Sequence, residues 1–282
     1  MKVLILGTSG MLGRELNKVF QDYDTTALNH EDLDITDEAK IREALSKFKP
    51  NLVINVAAYT AVDDAEKEEK LATRVNGHAV GYLAEAVKKY DAILVHYSTD
   101  YVFDGKKRDG YSENDFPSET PSTAYGRSKL LGEQNLKKYD KHYLIRTSWL
   151  FGKNGRDFID TMTRLASERD EVRVVNDQHG KPTYAADLAS ATLKLIEEKL
   201  PFGTYHLVNE GVTTWYEYAK KIIELYGKRQ GWGSRDYPRI VPVNPQEFSA
   251  PAKRPEYSIL NNTKFPPLRP WQEALEEYMK EF

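Results

Sequence analysis

Hydrophobic and polar positions form alternating blocks along the first half of the chain. Short apolar runs rich in β-branched residues predict buried strands, and each is followed by apolar residues at helical spacing. The predicted strands cover residues 2–6, 25–28, 51–58, 92–98 and 142–148. The predicted helices cover residues 11–20, 37–48, 71–90 and 122–138, with Thr36 as the N-cap of the second helix. Strands that alternate with helices predict an α/β fold with a doubly wound parallel sheet.

The second half of the chain has a less regular pattern. Helical spacing recurs at 158–168, at 185–198 and from Thr213 or Thr214 to about 226, and a last helix begins at Pro270. Short strands are predicted at 172–175 and 203–208, and the Gly-, Pro-, Arg- and Asn-rich segment 229–257 is predicted to be a loop. We expect residues 1–150 to form the sheet domain, with some later segments returning to it, and 151–282 to form mainly a smaller lobe.

Composition narrows the classes of protein to consider. The chain has 282 residues, which is long enough to bury a sizeable core, and a net charge of −3 with both signs mixed, which does not predict a nucleic-acid binder. It has no cysteine, so a disulfide and a thiol nucleophile are excluded. No apolar run reaches membrane length, so we expect a soluble, cytoplasmic protein without a membrane partner. Its 6 histidines are scattered, so we expect no protein metal site.

Three glycines follow the first predicted strand and open the first helix. Gly7, Gly10 and Gly13 have the spacing GxxGxxG. Glycine permits a tight turn and a close approach of the backbone to a pyrophosphate, and the helix N-terminus adds N–H donors. The alternative is an ordinary glycine-rich turn. The position of the motif between a strand and a helix favours dinucleotide binding in a Rossmann-like domain.

The second predicted strand does not end in the acidic residue that usually binds the ribose 2′-hydroxyl in such a domain. Asn29 and His30 follow the strand, and no arginine stands there to hold a 2′-phosphate. Asp34 and Ile35 are better suited to adenine, with a carboxylate for the exocyclic amine and an aliphatic side chain for the ring. The choice between NADPH and NADH therefore stays open.

A tyrosine precedes a lysine by four residues in a predicted helix, so Tyr125 and Lys129 lie on one helix face. Tyrosine has an ordinary pKa of about 10 and is an adequate acid near neutral pH, and a nearby ammonium favours its phenolate. Ser98 and Thr99 end the fourth strand, where a hydroxyl could bond the tyrosine or a substrate oxygen. The alternative is a pair of solvated surface residues, but the glycine turn and the Ser-Thr pair together favour catalysis.

The same motifs carry a resemblance to a known family. The chain resembles the extended short-chain dehydrogenase/reductase family, through blocks such as "ILGTSGMLGREL" (5–16), "STDYVFDG" (98–105), "AYGRSKLLGE" (124–133), "RTSWLFG" (146–152) and "DQHGKPT" (177–183). The more specific blocks are typical of members that reduce the 4-keto group of a dTDP-4-dehydro-6-deoxy sugar to give dTDP-L-rhamnose. The resemblance therefore implies an NADPH- or NADH-dependent oxidoreductase, with a dTDP-sugar as substrate and a possible homodimer as its assembly.

The resemblance also implies roles for particular residues. The catalytic residues would be Tyr125 as proton donor, Lys129 as the residue that binds the nicotinamide ribose and lowers the tyrosine pKa, and Thr99 as the residue that tunes the tyrosine. The cofactor would be bound by Gly7, Gly10, Met11, Leu12, Gly13, Asp34, Ile35, Ala57, Ala58, Tyr59, Tyr125 and Lys129, with Asn76 as support. The substrate would be bound by Thr60, Thr99, Asp100, Trp149, Gln178, Pro182, Thr183 and Arg254.

Some of these residues have simpler interpretations. Trp149 could belong to the core, Arg254 could be a surface residue, and Arg146 on the fifth strand could form a structural ion pair. The acidic run "DDAEKEE" (63–69) is predicted to be a solvated helix start. Some family members bridge subunits through Mg²⁺ held by carboxylates, and Glu15 stands where such a ligand could lie, but a glutamate on an exposed helix is usually only solvated.

Other functions remain open at this point. A sugar-nucleotide dehydratase typically has an Asp-Glu pair after the strand-end threonine, whereas Tyr101 follows Asp100 here. An epimerase needs no such pair and is disfavoured only by the specific blocks. A non-catalytic, dinucleotide-binding regulatory subunit is a third interpretation, since a relative of this group has that role. Retention of Thr99, Tyr125 and Lys129 together favours an enzyme.

Overall fold

The computed structural model of the protein describes residues 1–155, 157–247 and 250–282. The strands are β1 (Lys2–Leu6), β2 (Asp24–Leu28), β3 (Leu52–Asn55), β4 (Ile93–Thr99), β5 (His142–Thr147), β6 (Leu150–Phe151), β7 (Glu171–Val175), β8 (His179–Gly180), β9 (Thr183–Tyr184), β10 (Gly203–His206), β11 (Thr213–Thr214) and β12 (Arg239–Val243). The helices are α1 (Met11–Val19), α2 (Glu38–Phe48), α3 (Val62–Ala65), α4 (Glu69–Thr73), α5 (Ala79–Lys88), α6 (Ala124–Leu136), α7 (Phe158–Glu168), α8 (Ala185–Glu197), α9 (Trp215–Gln230) and α10 (Trp271–Glu281).

Six strands form one parallel sheet in the order β10-β5-β4-β3-β1-β2. The chain places β2 on one side of β1 and β3 on the other, so the strand order changes direction between β1 and β3. In open α/β sheets, ligands bind at the carboxyl ends of the strands at such a switch point. The doubly wound parallel sheet is confirmed, and its switch point places the glycine turn after β1 beside the segment after β3.

Helices cover both faces of the sheet. On one face, α1 and α8 pack on side chains such as Ile5, Ile54 and Ile145. On the other face, α2 and α5 pack on side chains such as Leu4 and Val53, and α6 lies over β4. Because α8 and β10 come from the second half of the chain, that half contributes both a helix layer and an edge strand to the sheet.

The rest of the second half has its own apolar cluster. Helices α7, α9 and α10 bury residues such as Ile159, Ile222 and Leu275 together. Strand β12 pairs in parallel with β7, so the prediction that all of 229–257 is loop was wrong. The segment contains Pro242, and proline is tolerated here because β7 and β12 form a two-stranded sheet in which both strands are edges.

Two helix predictions also need correction. The N-cap of α2 is Asp37, whose carboxylate accepts hydrogen bonds from the backbone of Ala39 and Lys40, while the hydroxyl of Thr36 instead donates to Asp34. The helix predicted over 71–90 is interrupted by a π-helical turn at Arg74–His78. Within the described residues, no helix is long and apolar enough to cross a membrane.

Candidate active site

The glycine turn between β1 and α1 has a distinct role for each glycine. Gly7 has a φ of +88°, and a Cβ there would lie 2.5 Å from the backbone nitrogen of Ala57. A Cβ on Gly13 would lie 2.5 Å from the carbonyl oxygen of Gly7, so only glycine lets α1 pack this closely on the turn. A Cβ on Gly10 would meet nothing closer than 3.7 Å, so Gly10 keeps the surface over the turn open. The turn fits a pyrophosphate over Gly10.

The first residues of α1 complete the candidate pyrophosphate site at the glycine turn. Met11 and Leu12 begin the helix, and their backbone N–H groups belong to the end of a helix that lacks internal partners. No side chain caps this end in the described structure. The partly buried side chain of Met11 lies close to Gly152 and Gly155, which follow β6. The open N–H groups are the donors that a diphosphate needs.

The segment after β3 is fastened to the rest of the site by Asn76. The amide side chain of Asn76 accepts a hydrogen bond from the backbone N–H of Tyr59 at 2.9 Å and donates to the Tyr59 carbonyl at 2.9 Å. It also donates to the hydroxyl of Ser128 on α6 at 3.0 Å. Asn76 lies in the π-helical turn, a distortion that often marks functional sites. It therefore joins the segment Ala57–Thr60 to the helix that carries Tyr125 and Lys129.

The predicted adenine residues lie beyond the end of β2. One carboxylate oxygen of Asp34 accepts hydrogen bonds from the backbone N–H of Thr36 at 2.9 Å and from its hydroxyl at 2.8 Å. These bonds hold the pKa of the Asp34 carboxyl below its ordinary value. The side chain of Ile35 is buried in the core under α2. Asp34 is thus ionised and available for an amine, while Ile35 presents little surface to a ligand.

The Tyr-Lys pair lies on the inner face of α6, beside the end of β4. The ammonium group of Lys129 is buried and donates a hydrogen bond to the Tyr97 carbonyl at 2.5 Å. The ring of Tyr125 packs edge-on against that of Tyr101, with centroids 5.9 Å apart. Thr123 caps the helix by accepting a hydrogen bond from the N–H of Gly126 at 3.0 Å. Lys129 is buried and Tyr125 half-buried, so the pair is not on a solvated surface. The Thr99 hydroxyl lies close enough to Tyr125 to influence its pKa, so the structure brings the three residues together.

Burial changes the acid–base character of these groups. It raises the pKa of the Tyr125 phenol, with a further rise from the nearby Asp100 carboxylate and a smaller opposing effect of a hydrogen bond with Thr99. Burial also lowers the pKa of Lys129 to about 8, against the opposing charge of Glu133. Tyr125 is therefore protonated near neutral pH in the unliganded protein, which is the state that a proton donor needs.

Asp100 is a buried carboxyl at the start of the turn after β4. One of its oxygens accepts a hydrogen bond from the Thr99 hydroxyl at 2.7 Å. The other, Oδ2, is buried and has no hydrogen-bond partner among the described residues. Burial raises the pKa of Asp100 to about 6, which the hydroxyls of Ser258 and then Thr99 partly offset. An unpartnered buried carboxylate oxygen costs free energy unless a ligand supplies a donor, which fits the predicted contact with a sugar hydroxyl.

Trp149 occupies a strained position between the sheet and the lobe. Its φ is +46°, an uncommon value for a bulky residue and one that often marks functional sites. Its ring stacks on that of Trp215 with centroids 3.6 Å apart. A Cβ on Gly180 would lie 2.4 Å from the Trp149 ring, so the glycine after His179 makes room for it. Trp149 is half-buried, and part of its surface stays accessible.

The remaining predicted substrate residues divide by exposure. Gln178 and Thr183 are buried, and the Thr183 backbone N–H donates to the Trp149 carbonyl at 3.1 Å. The Thr183 hydroxyl oxygen is buried without a hydrogen-bond partner in the described structure. Thr60 is exposed at the end of the segment after β3. Thr183 is thus held beside Trp149, with an unused hydroxyl.

Arg254 is tied to the acidic run that follows this segment. Its guanidinium donates two hydrogen bonds to the Asp63 carboxylate, at 3.1 and 2.7 Å. The bond from Arg254 is the main influence that holds the pKa of Asp63 below its ordinary value. Arg254 lies in a Pro-rich segment, and its guanidinium is oriented by the carboxylate of Asp63, which is 191 positions away in the sequence.

The acidic run 63–69 does lie at a helix start and is largely exposed, but its carboxylates also make tertiary contacts. Besides Asp63, three glutamates of this run hold neighbouring parts of the site. Glu66 accepts a hydrogen bond from the backbone N–H of Ala124 at 2.8 Å, Glu68 from the Tyr59 hydroxyl at 2.6 Å, and Glu69 from Arg127 at 2.8 Å. The partners of Glu66 and Glu69 lie on α6, 58 positions along the chain, so no local pattern marks these two contacts.

The fold and this geometry define a class of protein: a dinucleotide-binding enzyme of the extended short-chain dehydrogenase/reductase type. The family model described as the RmlD substrate binding domain matches residues 1–282. The chain belongs to this family.

Relatives and solved structures agree with this membership. The chain is 41% identical to the dTDP-4-dehydrorhamnose reductase of Streptomyces griseus, over 97% of this chain and 91% of that protein. It is 40% identical to the spore coat polysaccharide biosynthesis protein SpsK of Bacillus subtilis, over 99% of this chain and 97% of that protein. The crystal structure of the Bacillus anthracis dTDP-4-dehydrorhamnose reductase in complex with NADP has a TM-score of 0.92 and 39% identity, and covers 100% of this chain and 99% of that one.

Proposed function

We propose that the protein reduces the C4 keto group of dTDP-4-dehydro-L-rhamnose to give dTDP-L-rhamnose, with NADPH or NADH as reductant. The observation that carries the proposal is that Thr99, Tyr125 and Lys129 come together at the carboxyl end of the sheet, where the glycine turn also lies. Full-length relatives named for this reaction support it.

The proposed cofactor site is built by the chain's own backbone. The diphosphate would lie over Gly10, bound by the N–H groups at the start of α1, and Asp34 would accept from the adenine amine. Bound NAD(P)H supplies the hydride for the carbonyl carbon. The Ala57–Tyr59 segment, held by Asn76, would line the cofactor beside the glycine turn.

Tyr125 is the proposed proton donor to the carbonyl oxygen. It is protonated near neutral pH because burial and the Asp100 carboxylate raise the pKa of its phenol. Thr99 would donate a second hydrogen bond to the developing alkoxide, and such preorganised donors stabilise the charge that forms in the transition state. Lys129 would hold the nicotinamide ribose and, as an ammonium, stabilise the phenolate left after the proton is given.

The substrate would lie between the lobe and the carboxyl ends of the sheet strands, where it would face the hydroxyl of Tyr125. Asp100 and Thr183 each carry a buried oxygen without a partner in the described structure, and these would bond the sugar hydroxyls together with Gln178 and Thr60. The Trp149 ring would cap the sugar. Arg254, oriented by Asp63, would bind the diphosphate with two hydrogen bonds. The division into a domain of 1–150 and a lobe of mainly 151–282, the cytoplasmic location and the homodimer stay predictions.

An assay with the purified protein tests this function. The protein is mixed with dTDP-4-dehydro-L-rhamnose and either NADPH or NADH, and the absorbance of the reduced nicotinamide is followed. We expect the cofactor to be oxidised and dTDP-L-rhamnose to form. Cofactor binding without oxidation would contradict the proposal and favour a regulatory subunit, while interconversion of sugar epimers without net oxidation would favour an epimerase.

A further inference from the structure

A buried ion pair lies one helical turn beyond the Tyr-Lys pair. Tyr125, Lys129 and Glu133 are spaced four residues apart on α6, so they share one face. Glu133 accepts hydrogen bonds from Nε and Nη2 of Arg146 on β5, at 2.9 and 2.7 Å. The Lys129, Glu133 and Arg146 side chains are 3%, 0% and 1% exposed, so three charged groups lie almost completely out of water.

The pair costs free energy that its geometry must offset. Burying an ion pair carries a desolvation penalty that attraction only partly repays, so such pairs are weak evidence for stability. Apolar side chains at these positions would pack equally well on the sheet, as Ile145 and Tyr97 do on its opposite face. The position of the carboxylate beside Lys129 indicates a role beyond packing.

Lys129 needs a compensating charge. Its only hydrogen bond in the described structure is to the neutral Tyr97 carbonyl, and a buried ammonium without a counter-ion tends to lose its proton. Glu133 is the group whose charge favours the ammonium form. Burial alone would raise the pKa of Glu133, but the hydrogen bonds and charge of Arg146 outweigh it and keep the pKa below its ordinary value.

The other ionisable groups around Lys129 do not supply this charge. His96 on β4 is neutral, because burial and the Lys129 charge lower its pKa. His206 on β10 is also neutral, since burial lowers its pKa to about 4, and its Nε2 lies 3.4 Å from Arg146. Asp100, which follows β4, influences Tyr125 and is not among the groups that shift the pKa of Lys129. Glu133 is therefore the carboxylate that balances Lys129 on its inner side.

We propose that Glu133, held in place by Arg146, is a positioning residue whose charge keeps Lys129 in its ammonium form beside Tyr125. The inference deepens the proposed function and rests on the role that it gives to Lys129. A positioning role of this kind predicts a change in the pH dependence of catalysis. A purely structural role predicts a loss of stability with an unchanged pH profile.

The test measures kcat/KM for the keto sugar against pH, at a temperature where each variant is folded. Lys129 acts as an ammonium, so activity is present below its pKa and is lost as pH rises through it. Glu133→Gln removes the compensating charge, so the alkaline limb of the profile should move to lower pH by roughly one unit or more. Activity should recover as the pH is lowered, which a damaged fold would not allow.

Arg146→Met provides a second variant, because it removes the group that holds Glu133. Without the hydrogen bonds and charge of Arg146, burial raises the pKa of Glu133 and the carboxylate is no longer held in place, so the alkaline limb should again move to lower pH. Glu85→Gln is the matched control, since it removes an exposed carboxylate paired with Lys88 on α5 and should leave the profile unchanged. An alkaline limb that stays at the wild-type pH in whichever of the two variants folds would overturn the proposal.

A third variant separates this inference from the proposed function. Lys129→Met should lower activity severely at every pH. Full activity in Lys129→Met would contradict the role given to Lys129 itself, whatever the Glu133 variant does. Low activity in Lys129→Met, together with an unmoved limb in Glu133→Gln, would contradict only the positioning role of Glu133.

Discussion

The two faces of the central sheet differ in what they bury. Under α1 and α8, the strands present aliphatic and aromatic side chains such as Ile54, Val95 and Ile145 along their length. Under α5 and α6, the face is apolar at the amino ends of the strands, with His142 as the buried exception, but polar at their carboxyl ends. The buried polar side chains at those carboxyl ends are Asn55, His96, Ser98, Arg146 and His206.

Register explains why these polar side chains form a continuous row. Asn55 pairs with His96, and Arg146 pairs with both Ser98 and His206, on neighbouring strands of the sheet. The row lies below α6, the helix that carries Tyr125 and Lys129. The α1/α8 face thus serves packing up to Thr99 and Thr147 at its carboxyl end. The other face has charged and hydrogen-bonding side chains in place of apolar ones where it lies under the catalytic helix.

The largest effect is expected on the polar face, at the reacting group. Tyr125→Phe removes the proposed proton donor and leaves the ring, so it should lower kcat roughly 100- to 10,000-fold. The affinity for NADPH, measured by fluorescence titration, should change little. A Phe variant with wild-type turnover would contradict the assignment of Tyr125.

The next effect concerns stability and the ion pair. Arg146→Met leaves the Glu133 carboxylate buried without its partner, and breaking a buried pair in this way costs about 3–5 kcal/mol. The measurement is the free energy of unfolding in denaturant at neutral pH. A cost below about 1 kcal/mol would show that the carboxylate finds another partner or water.

The smallest effect is expected on the apolar face. Ile145→Val, at the neighbouring position on β5, removes one methyl group and should lower the free energy of unfolding by about 0.5–1.5 kcal/mol. Turnover should stay at the wild-type value, because Ile145 points away from α6. Reduced turnover in this variant would contradict the claim that side chains on the apolar face do not contribute to catalysis.

Local motifs made much of this arrangement predictable. The glycine turn lies within residues 7–13 and the Tyr-Lys pair within one helical turn, so the residues that define each motif are close in sequence. The alternation of strands and helices likewise follows from periodicity within each element. These features locate the switch point and the catalytic helix without knowledge of tertiary contacts.

The features that sequence missed depend on partners far along the chain. Asp63 and Arg254 are 191 positions apart, and Trp149 stacks on Trp215 only because the lobe folds back on the sheet. Arg146 was predicted as a structural ion-pair residue, but its partner Glu133 could not be identified from periodicity. Strand β12 also needs β7 beside it, since its own composition favours a loop.

The most direct test of the account follows the hydride itself. The protein is incubated with dTDP-4-dehydro-L-rhamnose and NADPH that carries deuterium at both C4 positions of the nicotinamide, and the product is analysed by mass spectrometry and NMR. The account predicts dTDP-L-rhamnose with a single deuterium at C4 of the sugar. A product without deuterium, or recovery of unreacted keto sugar with the cofactor still reduced, would contradict it.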